Sequence, residues 1–109
     1  PVAGQQRPRD HDIGRLIARV AGLHQMSSAI AGALERGEPA DVPAAVVKVL
    51  GTTTEGDIAE FAHQADDHRA GQHFTDTVAS AMDQRPGFTL RGGTNEVLRG
   101  VIARGLGLR

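Results

Sequence analysis

The chain has no cysteine, no tryptophan and no tyrosine, and only three phenylalanines in 109 residues. Without cysteine there is no disulfide framework and no thiolate metal site. Large apolar side chains are scarce too: 27 residues are Val, Ile, Leu, Met or Phe, and much of the remaining apolar content is alanine. A core made from such residues is thin and depends on close helix contacts. Excess charge of one sign is also missing, with 12 basic against 13 acidic residues and a net charge of −1. That balance argues against nucleic-acid binding, which calls for a basic patch, and against a long charged tail. No apolar run approaches the roughly 18 residues of a membrane span, and no basic-then-apolar segment marks a signal peptide. A cytoplasmic protein is the expectation. The length suits one domain, and a start at Pro1 rather than Met suggests a piece of something longer.

What is present is helical periodicity. Residues 1–9 carry two prolines and a glycine and read as a flexible arm, leaving 10–109 as the domain. Ile13, Leu16, Ile17, Val20, Leu23, Ile30 and Leu34 fall at 3/4 spacing. This predicts a helix near 10–36, capped by Asp10 or Asp12 and ended by Gly37, Glu38 and Pro39. Asp41 and Pro43 open a second helix near 42–66, an acidic cap with proline in the first turn. Its expected apolar face is Val46, Val47, Leu50, Ile58, Phe61, Ala62 and Ala65. Gly51 and Thr52 to Thr54 are poor helix formers, so packing must hold the middle. A short third helix around Phe74 to Met82 should end at Arg85-Pro86-Gly87. A glycine turn then leads into a last helix from about 94 to 104, stopped by Gly105 and Gly107. No run has strand period. Antiparallel helices on short turns make a bundle, and two long helices make only part of one.

Three groups of residues could carry chemistry. His63, Asp66, Asp67, His68 and His73 cluster near the end of the second helix, but no metal-site signature is present, and a solvated helix end accounts for them better. His24, beside Leu23, reads as a partly buried histidine with one hydrogen bond. Gly92-Gly93-Thr94-Asn95-Glu96 places bare backbone and free N–H groups at a helix start. Glu96 would repel a bare phosphate there, so a ligand hydroxyl such as a ribose fits better; an ordinary turn with Thr94 as N-cap is the plainer alternative. Arg91, Arg99, Arg104 and Arg109 could clamp a phosphate or simply complement the last helix's dipole.

The stretch from Leu90 to Leu108, LRGGTNEVLRGVIARGLGL, resembles the C-terminal signature of acyl-CoA dehydrogenases. A Gly-Gly-Thr-Asn-Glu turn there precedes a helix with Ile-Ala-Arg and then Leu-Gly-Leu. Ala45 to Thr52 with Ile58-Ala59-Glu60 looks like the family's long second bundle helix. Leu16, Ala18, Arg19 and Val20, with the Arg36-Gly37-Glu38-Pro39 turn, are similar to the helix before it. The resemblance implies an all-α, incomplete antiparallel four-helix-bundle-type domain from the end of a flavin-dependent enzyme. Such enzymes oxidise the Cα–Cβ bond of an acyl-CoA, using FAD. By that resemblance Thr94, Asn95 and Glu96 contact FAD, and the Gly93 backbone lies near the thioester. Family bundles are covered by a further helix and neighbouring subunits, so a homo- or hetero-oligomer is implied. Ile13, Leu16, Ile17, Val20, Leu23, Ile30, Phe61 and Val101 would then meet another chain.

Two departures qualify the match. Many members carry the catalytic glutamate at the position of Gly92; others supply it from a helix upstream of this chain. No catalytic residue is therefore expected here, and the chain alone should be inactive. Most members also follow the long helix with Gln-x-x-Gly-Gly, whereas this chain has Phe61 to His68, with Gln64 as the remnant and the paired glycines gone. Arg91 replaces a residue that is often tyrosine. A non-catalytic assembly subunit is the alternative these changes favour.

Overall fold

A computed structural model describes the backbone of residues 2–108 and the side chains of residues 9–108. Four helices follow one another: α1 (Val2–Glu35), α2 (Asp41–Ala65), α3 (Gln72–Phe88) and α4 (Asn95–Gly105), with no strand among the described residues. The all-helical expectation holds, and all the boundaries except the start of α1 and the end of α3 fall within a residue or two of those read from periodicity. α1 differs at its start. It runs from Val2, so residues 2–9 are helical where an arm was expected, and Asp10 and Asp12 lie inside the helix rather than capping it. Its end is as expected: Gly37 takes φ 72°, while Glu38 N–H donates to Ala33 O and Gly37 N–H to Leu34 O. That pair of bonds satisfies orphan carbonyls of the last turn and turns the chain.

α2 differs in two respects. Its N-cap is Ala40, which makes no side-chain cap, and Asp41 is the first helical residue. Its packed face is also not the one that large apolar residues suggested. Ala45, Thr52, Thr54, Gly56 and Ala59 are buried, whereas Leu50 and Ile58 are exposed. At about 100° per residue, Ala45, Thr52, Gly56 and Ala59 share one side, and Thr54 lies opposite. Small side chains on both sides admit neighbours closely. α2 packs against α1, α3 and α4, which do not pack against each other. The threonines are accommodated because Thr52, Thr53 and Thr54 each place a hydroxyl on the carbonyl four residues back, at 2.9, 2.8 and 2.7 Å.

α3 continues through Arg85-Pro86-Gly87, where a break was expected. Pro86 sits in the last turn. A proline inside a helix forfeits one backbone bond and costs about 3 kcal/mol, but its fixed φ suits a helix and only two residues follow. Arg85 reaches back to Glu60 of α2 at 2.9 Å and pins this end. At the other end Asp66 joins α2 to α3. Its side chain is only 7% exposed. It accepts His68 N–H at 2.9 Å and the Thr75 hydroxyl at 2.8 Å.

The core is thin, as the composition implied. The buried apolar residues are Ala40, Ala45, Ala59 and Val78, and no large side chain is fully buried among the described residues. The accessible surface is 7786 Å², about 2,000 Å² more than a closed monomer of 11.5 kDa exposes. The radius of gyration is 17.2 Å, against roughly 13 Å for a compact chain of this length. His24 belongs to the open surface; it is exposed rather than partly buried.

The Asp66 joint makes stability depend on pH. The Thr75 hydroxyl first, and the His68 N–H second, hold its carboxyl below the ordinary aspartate value. A depressed folded-state pKa gives stability that is present above the unfolded value of about 4 and is lost as pH falls through the lower folded value. Asp66→Asn should therefore lower the denaturation midpoint at pH 7. The gap to the parent sequence should close as the pH is taken from 5 to 3. Denaturant titrations at those pH values check this, and a gap independent of pH would contradict it.

Candidate functional site

The turn between α3 and α4 is built on two glycines in left-handed backbone that residues with a β-carbon rarely adopt. Gly92 has φ 61° and Gly93 has φ 107°. A β-carbon at Gly92 would lie 3.5 Å from Lys48 Cε, and one at Gly93 would lie 3.4 Å from Leu98 Cδ2. The turn therefore sits close over α2 and over the first turn of α4. Thr94 caps α4, its hydroxyl oxygen accepting Val97 N–H at 3.2 Å. That cap occupies a lone pair and leaves the hydroxyl proton available to another acceptor. The plain N-cap reading and the ligand reading are therefore compatible.

The three residues expected at a cofactor divide into two orientations. Thr94 is half-buried at the turn and Glu96 is exposed. Asn95 points inward at 6% exposure, its side-chain amide 3.1 Å from the Thr52 hydroxyl of α2, which shares its one proton between this contact and the Lys48 carbonyl. Its backbone N–H donates to Thr89 O. Asn95 thus joins the turn to α2 and to the preceding loop. Gly93 is exposed, with its backbone open.

In front of the turn lies an open cleft of about 540 Å³, whose lining includes Thr53, Asp57, Met82, Arg85, Glu96 and Arg99. Two carboxylates face two guanidiniums there. Arg85 is engaged with Glu60, and Asp57 with Arg19 of α1 at 2.7 Å. Such a wall offers donors and acceptors in balance. It suits hydroxyls and amides better than an isolated polyphosphate.

The arginines do not form a clamp. Arg91 pairs with Glu55 of α2, and its guanidinium lies 5.4 Å from the Phe88 ring centroid. Arg99 lines the cleft and Arg104 is exposed in the last turn of α4. Arg109 lies outside the described residues. Around the α2–α3 loop, both Asp66 oxygens are taken by His68 N–H and Thr75, and Asp67 accepts Arg69 N–H at 3.1 Å. Among the described residues no three histidine or carboxylate side chains come together as a metal site. Gln64 is exposed.

Thr52, Glu55 and Lys48 were not among the residues that the sequence singled out, yet they form the floor under the turn. Their signal is spacing alone: 48, 52 and 55 share a helix face, which becomes informative only once the turn's position is known.

The structure is a helical domain hung on one central helix, ending in a glycine turn that opens a short capped helix beside a polar cleft. The chain belongs to the acyl-CoA dehydrogenase C-terminal domain family, whose model matches residues 3–107. No curated protein matches it, and no solved structure matches it. No helix among the described residues is long and apolar enough to cross a membrane.

The cap gives a direct prediction. Thr94→Ala should destabilise the domain by about 1 kcal/mol, within the 0.5–2 kcal/mol range for lost N-caps, while Thr94→Ser changes little. Urea denaturation of the three forms measures this, and equal midpoints would show that the cap is not formed.

Proposed function

We propose that this chain is the C-terminal domain of an FAD-dependent acyl-CoA dehydrogenase and presents the Gly92–Glu96 turn to the cofactor. The observation that carries this reading is the turn itself. It keeps the family's residues, and its glycines leave the backbone bare. Behind it α4 begins with a Thr94 hydroxyl and a Glu96 carboxylate at its open end. When bound, FAD supplies the acceptor for the hydride leaving Cβ of the acyl thioester. The chain's own contribution is to hold hydroxyls of the cofactor: Thr94 as a donor and Glu96 as an acceptor. Asn95 works from behind, fixing their direction. The Gly93 backbone stands nearest the acyl-CoA thioester. Gly92 has no side chain to take a proton, so the α-proton must be removed by a base from elsewhere in the enzyme.

Purified whole protein carrying this domain should show flavin absorbance or take up added FAD. Glu96→Ala should weaken FAD binding roughly tenfold or more, the loss of a hydrogen bond to a charged group. Whole protein that neither carries nor takes up FAD would overturn the reading.

One observation favours the second reading, a non-catalytic subunit that keeps the bundle for assembly. Where most members have paired glycines after the long helix, Asp66 here ties the loop to Thr75. The same flavin measurement separates the two.

Both readings require the apolar face to be covered. Ile13, Ile17, Val20 and Ile58 are 41–64% exposed and, with Leu16 and Phe61, line an open groove of about 640 Å³ between α1 and α2. Leu23, Ile30 and Val101 are half-buried. The excess surface, about 2,000 Å² on this chain, exceeds the roughly 600–1,000 Å² per partner that a standard stable interface buries. The chain should associate, in a homo- or hetero-oligomer with two-fold pairing the simplest form. Light scattering at high micromolar concentration should give a mass above 11.5 kDa. A stable, well-folded monomer would contradict it.

A further inference from the structure

The turn can present Thr94 and Glu96 to a ligand only if the start of α4 is fixed in direction. Of the bonds that hold it, the Thr94–Val97 cap lies within α4 and sets nothing relative to the rest. Asn95 N–H to Thr89 O ties α4 to the loop before it, which includes the two glycines. Arg91–Glu55 is an exposed ion pair, with side chains 59% and 46% exposed, a kind worth little. The remaining link is between Thr52 and Asn95, at 3% and 6% exposure. Among the described residues it is the buried side-chain hydrogen bond that joins α4 to another helix. Removing the hydroxyl would leave a buried amide unpaired, which costs more than the bond itself contributes. The amide would then turn toward water and carry the first turn of α4 with it.

We propose that Thr52, in the middle of α2 and away from the turn in sequence, is a positioning residue for the cofactor: through Asn95 it aims Thr94 and Glu96. This rests on the reading of the turn as an FAD contact. It also explains why the long helix carries a β-branched hydroxyl residue where alanine would be the better helix former.

The test uses the whole protein that carries this domain. FAD affinity, the visible flavin spectrum and the unfolding midpoint are measured for the parent sequence, Thr52→Val, Thr52→Ser and Ala59→Gly. Valine keeps the shape and removes the hydroxyl; serine keeps the hydroxyl. Ala59→Gly weakens α2 where it faces α3, away from the turn. Thr52→Val should bind FAD tenfold or more weakly, with a shifted flavin band, since misdirecting Thr94 and Glu96 loses hydrogen bonds to the cofactor worth about that much. Thr52→Ser should stay within twofold. Ala59→Gly should lower the midpoint and leave affinity and spectrum alone. If the valine variant fails to fold, Thr52→Ala takes its place. A parent that binds FAD while Thr52→Val or Thr52→Ala binds it equally well would overturn this inference alone. So would affinities that follow the unfolding midpoint across all variants, Ala59→Gly included. A parent that binds no FAD would overturn the reading of the turn, and this inference with it.

Discussion

The structure depends on α2. Every other helix packs on it and on no other helix among the described residues. One face, Ala45, Thr52, Gly56 and Ala59, is small enough for α3 and α4 to come close; the opposite side, where Thr54 is buried, carries Leu50, Ile58 and Phe61 and is only partly covered by α1. Close approach gives many weak contacts but removes little apolar area from water, and area is what hydrophobic stabilisation follows. The arrangement therefore fixes positions without closing a core. The exposed groove between α1 and α2 follows from the same cause. Large apolar residues of α1 such as Ile13 and Ile17 have no α3 or α4 above them, because those helices pack on α2 and not on α1.

The same geometry decides where chemistry can be placed. Around α2, Glu55 and Glu60 project to either side of the small-residue face, at about 70° on each side when each residue turns about 100°. Glu55 holds Arg91 at the turn, and Glu60 holds Arg85 at the end of α3. Between them runs the buried line of Thr52, Gly56 and Ala59. The cleft lies over Thr52 and Gly56 of that line, bounded by α3 on one side and the start of α4 on the other. A ligand there would touch three helices whose mutual positions are all set by α2.

How far the sequence could be read depended on whether the signal was local. Helix ends marked by glycine were legible because the cap is a matter of adjacent residues: Gly37 ends α1 and Gly107 follows α4. The glycine turn was legible for the same reason. The start of α1 was not, because proline and glycine in residues 1–9 argued locally for an arm. Nor was the passage of α3 through Pro86, which the Arg85–Glu60 pair supports from 25 positions away. The packed face of α2 was misjudged by assuming that the largest apolar residues mark the core. In a chain so rich in alanine, the buried face is the one with the smallest residues. Asn95 was assigned outward with its neighbours, since nothing in the turn's own residues shows that Thr52 stands beneath it, 43 positions earlier.

The two loops that flank α3 show why one departs from the family pattern and the other does not. The α2–α3 loop is stabilised by its own residues. Asp66 and Asp67 each accept an N–H from two residues on, the short-range bond that aspartate makes in turns. Asp66 then adds the link to Thr75. The loop still enters the left-handed region, at His68 (φ 66°) and Gly71 (φ 100°), and the Asp66 bonds to His68 N–H and Thr75 hold that shape. The α3–α4 turn has no such means. Gly92 and Gly93 offer no side chain, so side-chain links from the turn to the bundle come from α2, through Thr52 and Glu55. A turn with bare glycine backbone at its centre makes few side-chain bonds of its own, and the constraint passes to the helix beneath. The residues that give this turn its direction are therefore found on α2, among the threonines that helix propensity alone would have removed.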